Sequence, residues 1–261
     1  MTRVSIVRLV SACASACAVV VATAAPARAQ TPEERVAARA VLTKQGDAAV
    51  MVLATMKTHI VVNGREQNRD VPLQSNGLVI DAAGLTVMPL SALEPGDLLT
   101  RSLSANAPPG QKIEVSSETT ELRVRYSDGT EQASSVVLRD SDLDLVFLKP
   151  TEALTAPVVF VDAPSATAQP FDLLVALQRG PERDGWRTYS TFTFVQMAVE
   201  RPRTFLSVPV STLVGNGLGA AFFTPAGGFV GLYVRVGGSS SSPTGAIVSA
   251  DDLREVAKQV K

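Results

Sequence analysis

The feature that most constrains the fold is a succession of short, β-branched segments between residues 48 and 248, each ended by a turn signal. Leu122–Tyr126 alternates apolar and charged residues, which is typical of a strand with one face on a core and one in water. Ser127–Thr130 contains Asp-Gly, a strong hairpin signal. Similar segments recur in the second half, for example Leu173–Leu177 and Phe229–Val236. Many short strands at close spacing predict an all-β sandwich or barrel.

Helices are predicted only near the two ends of this β-rich region. Thr31 is suited to an N-cap, Pro32 to the first helical position and Glu34 to a capping box, so a helix is expected to run to about Lys44. Asp251–Val260 has the pattern of a closing amphipathic helix.

Three stretches are predicted to be elaborated loops, and the sequence leaves their roles open. The last of them contains Trp186, the only tryptophan. The three are Lys57–Gln74, Arg101–Thr120 and Gln178–Arg187.

Residues 1–29 have the pattern of a secretory signal peptide. Arg3 and Arg8 precede a short apolar stretch, and Ala27-Arg28-Ala29 fits a cleavage site, so cleavage is predicted after Ala29. The apolar run is too short for a membrane anchor. We therefore expect a periplasmic or secreted protein with no membrane span in the mature chain.

Composition narrows the possible chemistry. Removing residues 1–29 takes away three arginines and leaves 21 basic against 25 acidic residues, a net charge of −4, which argues against a nucleic-acid partner. Cys13 and Cys17, the only cysteines, lie in the removed segment, so no disulfide or thiol chemistry is expected in the mature chain. One histidine and scattered acids form no ligand cluster, so no metal and no cofactor are predicted.

A glycine-rich run, Gly215–Ala220, matches the G-x-G-x-x-G/A pattern of dinucleotide sites. Such a site needs a helix directly after the run and an acid about 20 residues further on. Instead Pro225 and Gly227-Gly228 follow, then the predicted strand Phe229–Val236, and the expected acid position falls among Gly and Ser. The nucleotide interpretation is therefore rejected.

Four segments in order resemble the protease domain of HtrA/Deg-type trypsin-like serine proteases. They are SNGLVIDAAGLTVMPLSALE, LRVRYSDGTEQASSVVLRDSDLDLVFLKP, GNGLGAAFFTPAGGFVGLYV and GAIVSADDLREVAKQV. The second is the most specific, because it pairs an Asp-Gly hairpin with Arg139-Asp140-Ser-Asp-Leu-Asp144-Leu. The resemblance covers roughly residues 35–261, and we expect no PDZ module after the closing helix.

The resemblance implies two six-stranded antiparallel barrels, with an active site in the cleft between them. Residues 30–152 would form the N-terminal helix and first barrel, and residues 153–261 the second barrel and closing helix. The first barrel would carry the histidine and aspartate of a catalytic triad, and the second the serine.

Only one member of that triad is retained. Asp144 matches the orienting acid, whereas Ser91 stands in place of the histidine and Gly217 in place of the serine nucleophile. Loss of either the serine or the histidine removes nearly all of the triad's contribution, about 10⁶-fold in turnover in a measured example. The sequence therefore predicts a catalytically inactive protease homologue.

The glycine run leaves two interpretations open. Gly215 and Gly217 supply the amides that the resemblance assigns to an oxyanion hole, so the loop would still receive a peptide carbonyl or carboxylate. Alternatively the glycines form a tight turn, and Leu218 fills the emptied site. His59, the only histidine, is predicted to be an exposed loop residue unconnected with the triad.

Three functions compete at this point. The leading hypothesis is an exported pseudoprotease that binds a peptide or protein, or acts as a regulatory module. The second is a serine-type endopeptidase with an unusual catalytic constellation. The third is a structural envelope scaffold that binds through loops such as Gln178–Arg187. The sequence does not indicate the oligomeric state.

Overall fold

Two antiparallel β-sheets dominate the computed structural model, which describes residues 31–105, 107–108, 112–200, 203–236 and 244–260. The predicted signal peptide lies outside the described residues. The first sheet is a closed six-stranded barrel in the order β1-β2-β3-β6-β5-β4. Its strands are β1 (Ala49–Val62), β2 (Arg65–Val79), β3 (Thr86–Pro89), β4 (Ile113–Arg125), β5 (Glu131–Asp140) and β6 (Leu145–Pro150).

The second sheet has seven strands in the order β8-β7-β11-β12-β13-β10-β9. Its end strands, β8 and β9, are one bent stretch of chain interrupted only by Val195 and Gln196, so the sheet curls into a half-barrel. The strands are β7 (Leu173–Arg179), β8 (Thr188–Phe194), β9 (Met197–Glu200), β10 (Thr204–Ser207), β11 (Ala221–Phe223), β12 (Phe229–Val236) and β13 (Thr244–Ser249). The predicted all-β class is confirmed, and the two sheets are compatible with a trypsin-like fold.

The first and last helices form where they are predicted, whereas Leu90–Leu93 and Gly96–Ala105 form two short helices within the β-rich region that were not predicted. The first begins at the expected proline, and the last begins where the Ser249 side chain accepts a hydrogen bond from the Asp252 N–H at 3.1 Å. The helices are α1 (Pro32–Gln45), α2 (Leu90–Leu93), α3 (Gly96–Ala105) and α4 (Ala250–Ala257). None of the helices in the described ranges is long and apolar enough to cross a membrane.

The prediction of a loop at Lys57–Gln74 is wrong. β1 and β2 pair continuously from Ala49↔Leu78 to Val62↔Arg65, and Asn63 and Gly64 join them in a two-residue turn. Both turn residues have positive φ, 49° and 78°, as a type I′ hairpin requires. The Asn-Gly pair in the sequence is the signal that indicates this hairpin.

The prediction of a loop at Arg101–Thr120 is also wrong over most of its length. The stretch contains the end of α3 and the first part of β4, which pairs with β1 as far as Ile113↔Val62. β1, β2 and β4 thus extend beyond the barrel as a three-stranded ribbon. α3 lies along β4, where the Thr100 hydroxyl donates to the Val115 carbonyl at 3.3 Å.

The stretch Gln178–Arg187 begins with the end of β7 and continues as a loop, residues 180–187, that we call the bridging loop. Arg179 connects it to the first sheet by donating from Nε to the Ala49 carbonyl at 2.9 Å and from Nη1 to the Trp186 carbonyl at 3.1 Å. The Arg125 guanidinium lies 4.9 Å from the centre of a Trp186 ring. The bridging loop is therefore anchored between the sheets.

A shared hydrophobic core joins the sheets. Leu78 and Phe147 of the first sheet pack in one cluster with Phe223 and Leu232 of the second and with Leu253 of α4. The strands of the first sheet end at residue 150 and those of the second begin at residue 173. The proposed boundary between residues 152 and 153 falls in the connecting segment and stays a prediction.

Candidate functional site

Asp144 lies in the turn between β5 and β6, with its side chain directed to the boundary of the two sheets. The residue is 8% exposed and has a left-handed φ of 56°. Its backbone carbonyl accepts a hydrogen bond from the Leu90 N–H at 2.9 Å, which attaches the turn to the start of α2. This places the carboxylate beside Ser91.

Ser91 and Asp144 are directly hydrogen-bonded. The Ser91 N–H donates to Asp144 Oδ1 at 2.6 Å, and the Ser91 hydroxyl donates to Oδ2 at 2.8 Å. The structure thus brings together two of the positions that the family resemblance assigned to a triad. Because a serine hydroxyl does not accept a proton near neutral pH, Ser91 does not supply the general base that an imidazole would supply at this position.

A third donor reaches the same carboxylate from the second sheet. The Arg235 N–H, on β12, donates to Asp144 Oδ2 at 2.7 Å. Burial raises the pKa of Asp144 above its ordinary value, and the hydrogen bonds from Arg235 and Ser91 oppose that rise without cancelling it. Asp144 is therefore a buried acid whose three hydrogen-bond donors connect β12 to α2, the short helix that carries Ser91.

The glycine run follows a short 3₁₀ turn, Val210–Thr212, and is attached to the end of β7. The Gln178 side chain accepts from the Val214 N–H at 2.8 Å and donates to the Val214 carbonyl at 3.1 Å. Beyond this anchor Gly215, Gly217 and Gly219 all have left-handed φ values, 63°, 73° and 78°. Alternating glycines are required because side-chain-bearing residues rarely adopt this conformation.

Space around the three glycines differs sharply. A Cβ at Gly215 would meet nothing within 4 Å, whereas one at Gly217 would lie 2.4 Å from Leu213 Cδ1. At Gly219 a Cβ would lie 2.3 Å from the backbone oxygen of Asn76. A serine at position 217 is therefore incompatible with the present position of the Leu213 side chain.

Leu218 is buried in the core of the second sheet. It packs in a cluster with Leu213 and Tyr233, and Ala92, the neighbour of Ser91, packs against the same cluster. Its N–H donates to the Asn216 side chain at 3.1 Å. This packing corresponds to the interpretation of the run as a tight turn with Leu218 as ordinary core.

The two backbone amides assigned to an oxyanion hole differ in their surroundings. The Gly217 N–H donates within the loop to the Val214 carbonyl at 3.2 Å, so it is engaged in the turn. Gly215 is exposed on the loop surface. A role for Gly215 and Gly217 in receiving a carbonyl or carboxylate stays a prediction.

β12 links the acid to the glycine loop. The Gly219 N–H donates to the Tyr233 carbonyl at 2.8 Å, and the Tyr233 N–H donates to the Ala220 carbonyl at 2.8 Å. Two residues further along, the Arg235 N–H reaches Asp144. The three matched positions therefore lie around the same end of β12, with Ser91 and Asp144 in contact and Gly217 in the adjoining loop.

His59 has no hydrogen bond to this arrangement. It is on β1, in the ribbon, rather than in a loop, and is half-buried rather than exposed. Its Nδ1 is 2.6 Å from Asn68 Oδ1 on β2. The expectation of a loop histidine is wrong because β1 continues through this residue.

Several residues that shape the site carry no distinctive sequence signal. Arg235 contributes only its backbone N–H, and Gln178 and Leu213 act through contacts distant in sequence. The Asn76 side chain accepts a hydrogen bond from the Arg179 N–H at 2.6 Å. Its backbone oxygen occupies the space that a Cβ at position 219 would need. Within the described part of the chain, no group of three or more His, Cys, Asp or Glu residues is arranged to hold a metal ion.

Comparison of the sequence with protein-family models finds no match, and comparison with curated proteins finds none either. The family resemblance therefore rests on the quoted motifs and on a fold that is compatible with them.

Proposed function

We propose that this protein is an exported, catalytically inactive homologue of HtrA/Deg-type serine proteases that acts by binding a peptide or protein. The observation that carries the proposal is the 2.8 Å hydrogen bond from the Ser91 hydroxyl to Asp144, at the position where an imidazole would be needed. Asp144 is retained and accepts hydrogen bonds, but its partner Ser91 has no group that accepts a proton at neutral pH.

The glycine loop supports the same conclusion independently. Gly217 has no nucleophile, and Leu213 occupies the space that a serine Cβ would need. A change at Ser91 alone or at Gly217 alone would not assemble the triad. The proposal that the function is binding follows from retention of the surrounding fold together with loss of both reacting groups.

Labelling with a fluorophosphonate probe tests the loss of catalysis. We expect no labelled serine in the purified protein and no cleavage of casein, with trypsin as the positive control. A labelled serine, or casein cleavage that Asp144→Ala abolishes, would establish the unusual endopeptidase instead.

Binding is tested with reduced, carboxymethylated α-lactalbumin as an unfolded polypeptide probe. Gly215→Arg places a long side chain on the exposed part of the glycine loop, where a Cβ meets nothing within 4 Å. Gly185→Arg is a matched control in the bridging loop, because φ there is 67° and the surroundings are equally open. Loss of binding in Gly215→Arg alone supports the cleft, whereas loss in Gly185→Arg alone supports a scaffold that binds through its loops.

A further inference from the structure

Phe171 has an unusual conformation for an aromatic residue. Its φ is 75°, in the left-handed region that favours glycine, and the residue is 84% exposed. Such a conformation is costly, and exposure of a phenyl ring gains no burial. Strain of this kind is often stored at positions that bind a partner.

The backbone around Val195 shows where Phe171 lies relative to β9. The Phe171 N–H donates to the Val195 carbonyl at 2.7 Å, and the Val195 N–H donates to the Asp172 carbonyl at 3.0 Å. The next residue points the opposite way, because the Gln196 N–H donates to the Ser207 carbonyl at 2.8 Å. Val195 therefore directs its peptide groups towards the β7 side, and Gln196 directs its N–H towards β10.

Alternation along a strand extends this pattern to β9. Because the Gln196 N–H points to β10, alternation directs the peptide groups of Ala198 towards Leu206 of β10. It directs those of Met197 and Val199 away from β10, although Ser207 and Phe205 lie opposite them in the register. Among the described residues, none accepts from or donates to those groups on that side. The chain that pairs with Val195 turns at residues 169–172, where the Asp172 N–H donates to the Gln169 carbonyl at 3.0 Å. Among the described residues β9 is therefore an end strand with a free edge that begins next to Phe171.

Apolar side chains surround that edge. Met197 and Val199 are 52% and 43% exposed, and Phe194 at the end of β8 is also exposed. Ala198, between Met197 and Val199, packs on the core of the second sheet. An exposed apolar patch next to unpaired strand groups is the combination used in strand addition.

We propose that the free edge of β9 binds an extended peptide with apolar side chains at alternate positions, which adds as a strand on the side of β9 away from β10 and ends against Phe171. Main-chain bonds to Met197 and Val199 would provide affinity, and contacts with Phe171 and Phe194 would select apolar residues. This site shares no residue with the arrangement around Ser91 and Asp144.

Fluorescence anisotropy with a labelled octapeptide of alternating Val and Thr, flanked by lysines, tests the proposal. We expect binding that Val199→Lys and Phe171→Gly each weaken by about tenfold or more. Val36→Lys is the matched control, because Val36 is an exposed valine on α1, 63% exposed, and should leave binding unchanged. Circular dichroism establishes that each variant is folded.

Two further measurements distinguish strand addition from adhesion to the apolar side chains alone and from self-association. Peptides N-methylated at every second residue, in both registers, should include one that no longer binds, because methylation removes the donors of one edge. Equal binding of both methylated peptides, or of wild type and Val199→Lys, would overturn the proposal.

A concentration-dependent dimer dissolved by Val199→Lys would assign the edge to a second copy instead. Gly215→Arg should not affect the octapeptide, so failure here is distinct from failure of the cleft proposal.

Discussion

The Ser91 hydroxyl donates to Asp144 Oδ2 at 2.8 Å while the Ser91 N–H donates to Oδ1 at 2.6 Å, so one residue satisfies both oxygens of a buried carboxylate. The carboxylate also accepts the Arg235 N–H of the second sheet. A catalytic acid in this position would orient an imidazole, whereas here it joins two backbone segments. The consequence is that Asp144 contributes to stability in ways that can be measured directly.

Ser91→Ala should lower the free energy of unfolding by about 2 kcal/mol, because it removes a hydrogen bond to a charged group and leaves Asp144 buried with one donor fewer. Urea denaturation measures the change. Ser127→Ala, at an exposed hairpin position, is the control and should stay within about 0.5 kcal/mol of wild type. Equal stability of Ser91→Ala and wild type would show that the bond contributes nothing.

Titration of Asp144 should make the folded protein less stable as pH rises. Burial raises its pKa in the folded protein above 3.8, so the folded state binds the proton more tightly than the unfolded state. Its contribution therefore falls as pH rises from about 4 through the folded pKa. Wild type should lose stability relative to Asp144→Asn over that interval, as measured by urea denaturation in buffers of increasing pH.

Asp128 provides a control of opposite sign. Hydrogen bonds from Thr130 lower the pKa of this exposed residue below 3.8. Wild type should therefore gain stability relative to Asp128→Asn as pH rises towards about 4, and the difference should be constant above it. If the stability difference between wild type and variant changed in the same direction with pH for Asp144→Asn and Asp128→Asn, the assigned directions of the two pKa shifts would be contradicted.

Gly217→Ala should destabilise the protein by more than Gly215→Ala, although both glycines have left-handed φ. Conformation alone costs about 1–2 kcal/mol at each position, and only at Gly217 does the new Cβ meet Leu213, at 2.4 Å. A double-mutant cycle with Leu213→Ala should show coupling, because the smaller side chain removes the clash. Additive effects at Gly217 and Leu213 would mean that the loop relaxes freely.

Phe171→Gly should raise the free energy of unfolding by roughly 0.5–1 kcal/mol, because relief of a left-handed φ exceeds the entropy that glycine adds to the unfolded chain. Little burial is lost, since the residue is 84% exposed. Thermal unfolding measures the gain. A lower melting temperature would show that the phenyl ring makes stabilising contacts within the chain.

Arg179→Met should destabilise the protein by about 2 kcal/mol, because the carbonyls of Ala49 and Trp186 lose their donors. Arg183→Met, in the same bridging loop, is the matched control because 84% of the Arg183 side chain is exposed. Increased proteolysis near Trp186 in the Arg179 variant alone would show that the anchor holds the loop.

Local patterns are sufficient for much of the fold. The Asp-Gly hairpin forms as predicted, with the Tyr126 N–H donating to the Thr130 carbonyl at 2.9 Å, and β12 has the predicted bounds Phe229–Val236. The ribbon is not predicted because β2 is polar from Arg65 to Asp70 and therefore lacks the apolar alternation by which a half-buried strand is recognised. Only the Asn63-Gly64 turn indicates it.

The sequence by itself determined that Ser91 and Gly217 lack the groups needed for triad chemistry, because residue identity decides which atoms are present. The tertiary structure alone decided that Ser91 and Asp144 are hydrogen-bonded and that the Arg235 N–H also donates to the carboxylate. It also decided that Leu213 fills the space beside Gly217. These contacts join residues far apart in the chain, so local pattern carries no record of them. The free edge of β9 is likewise a product of topology, because a strand's unpaired side depends on which neighbours the fold brings to it.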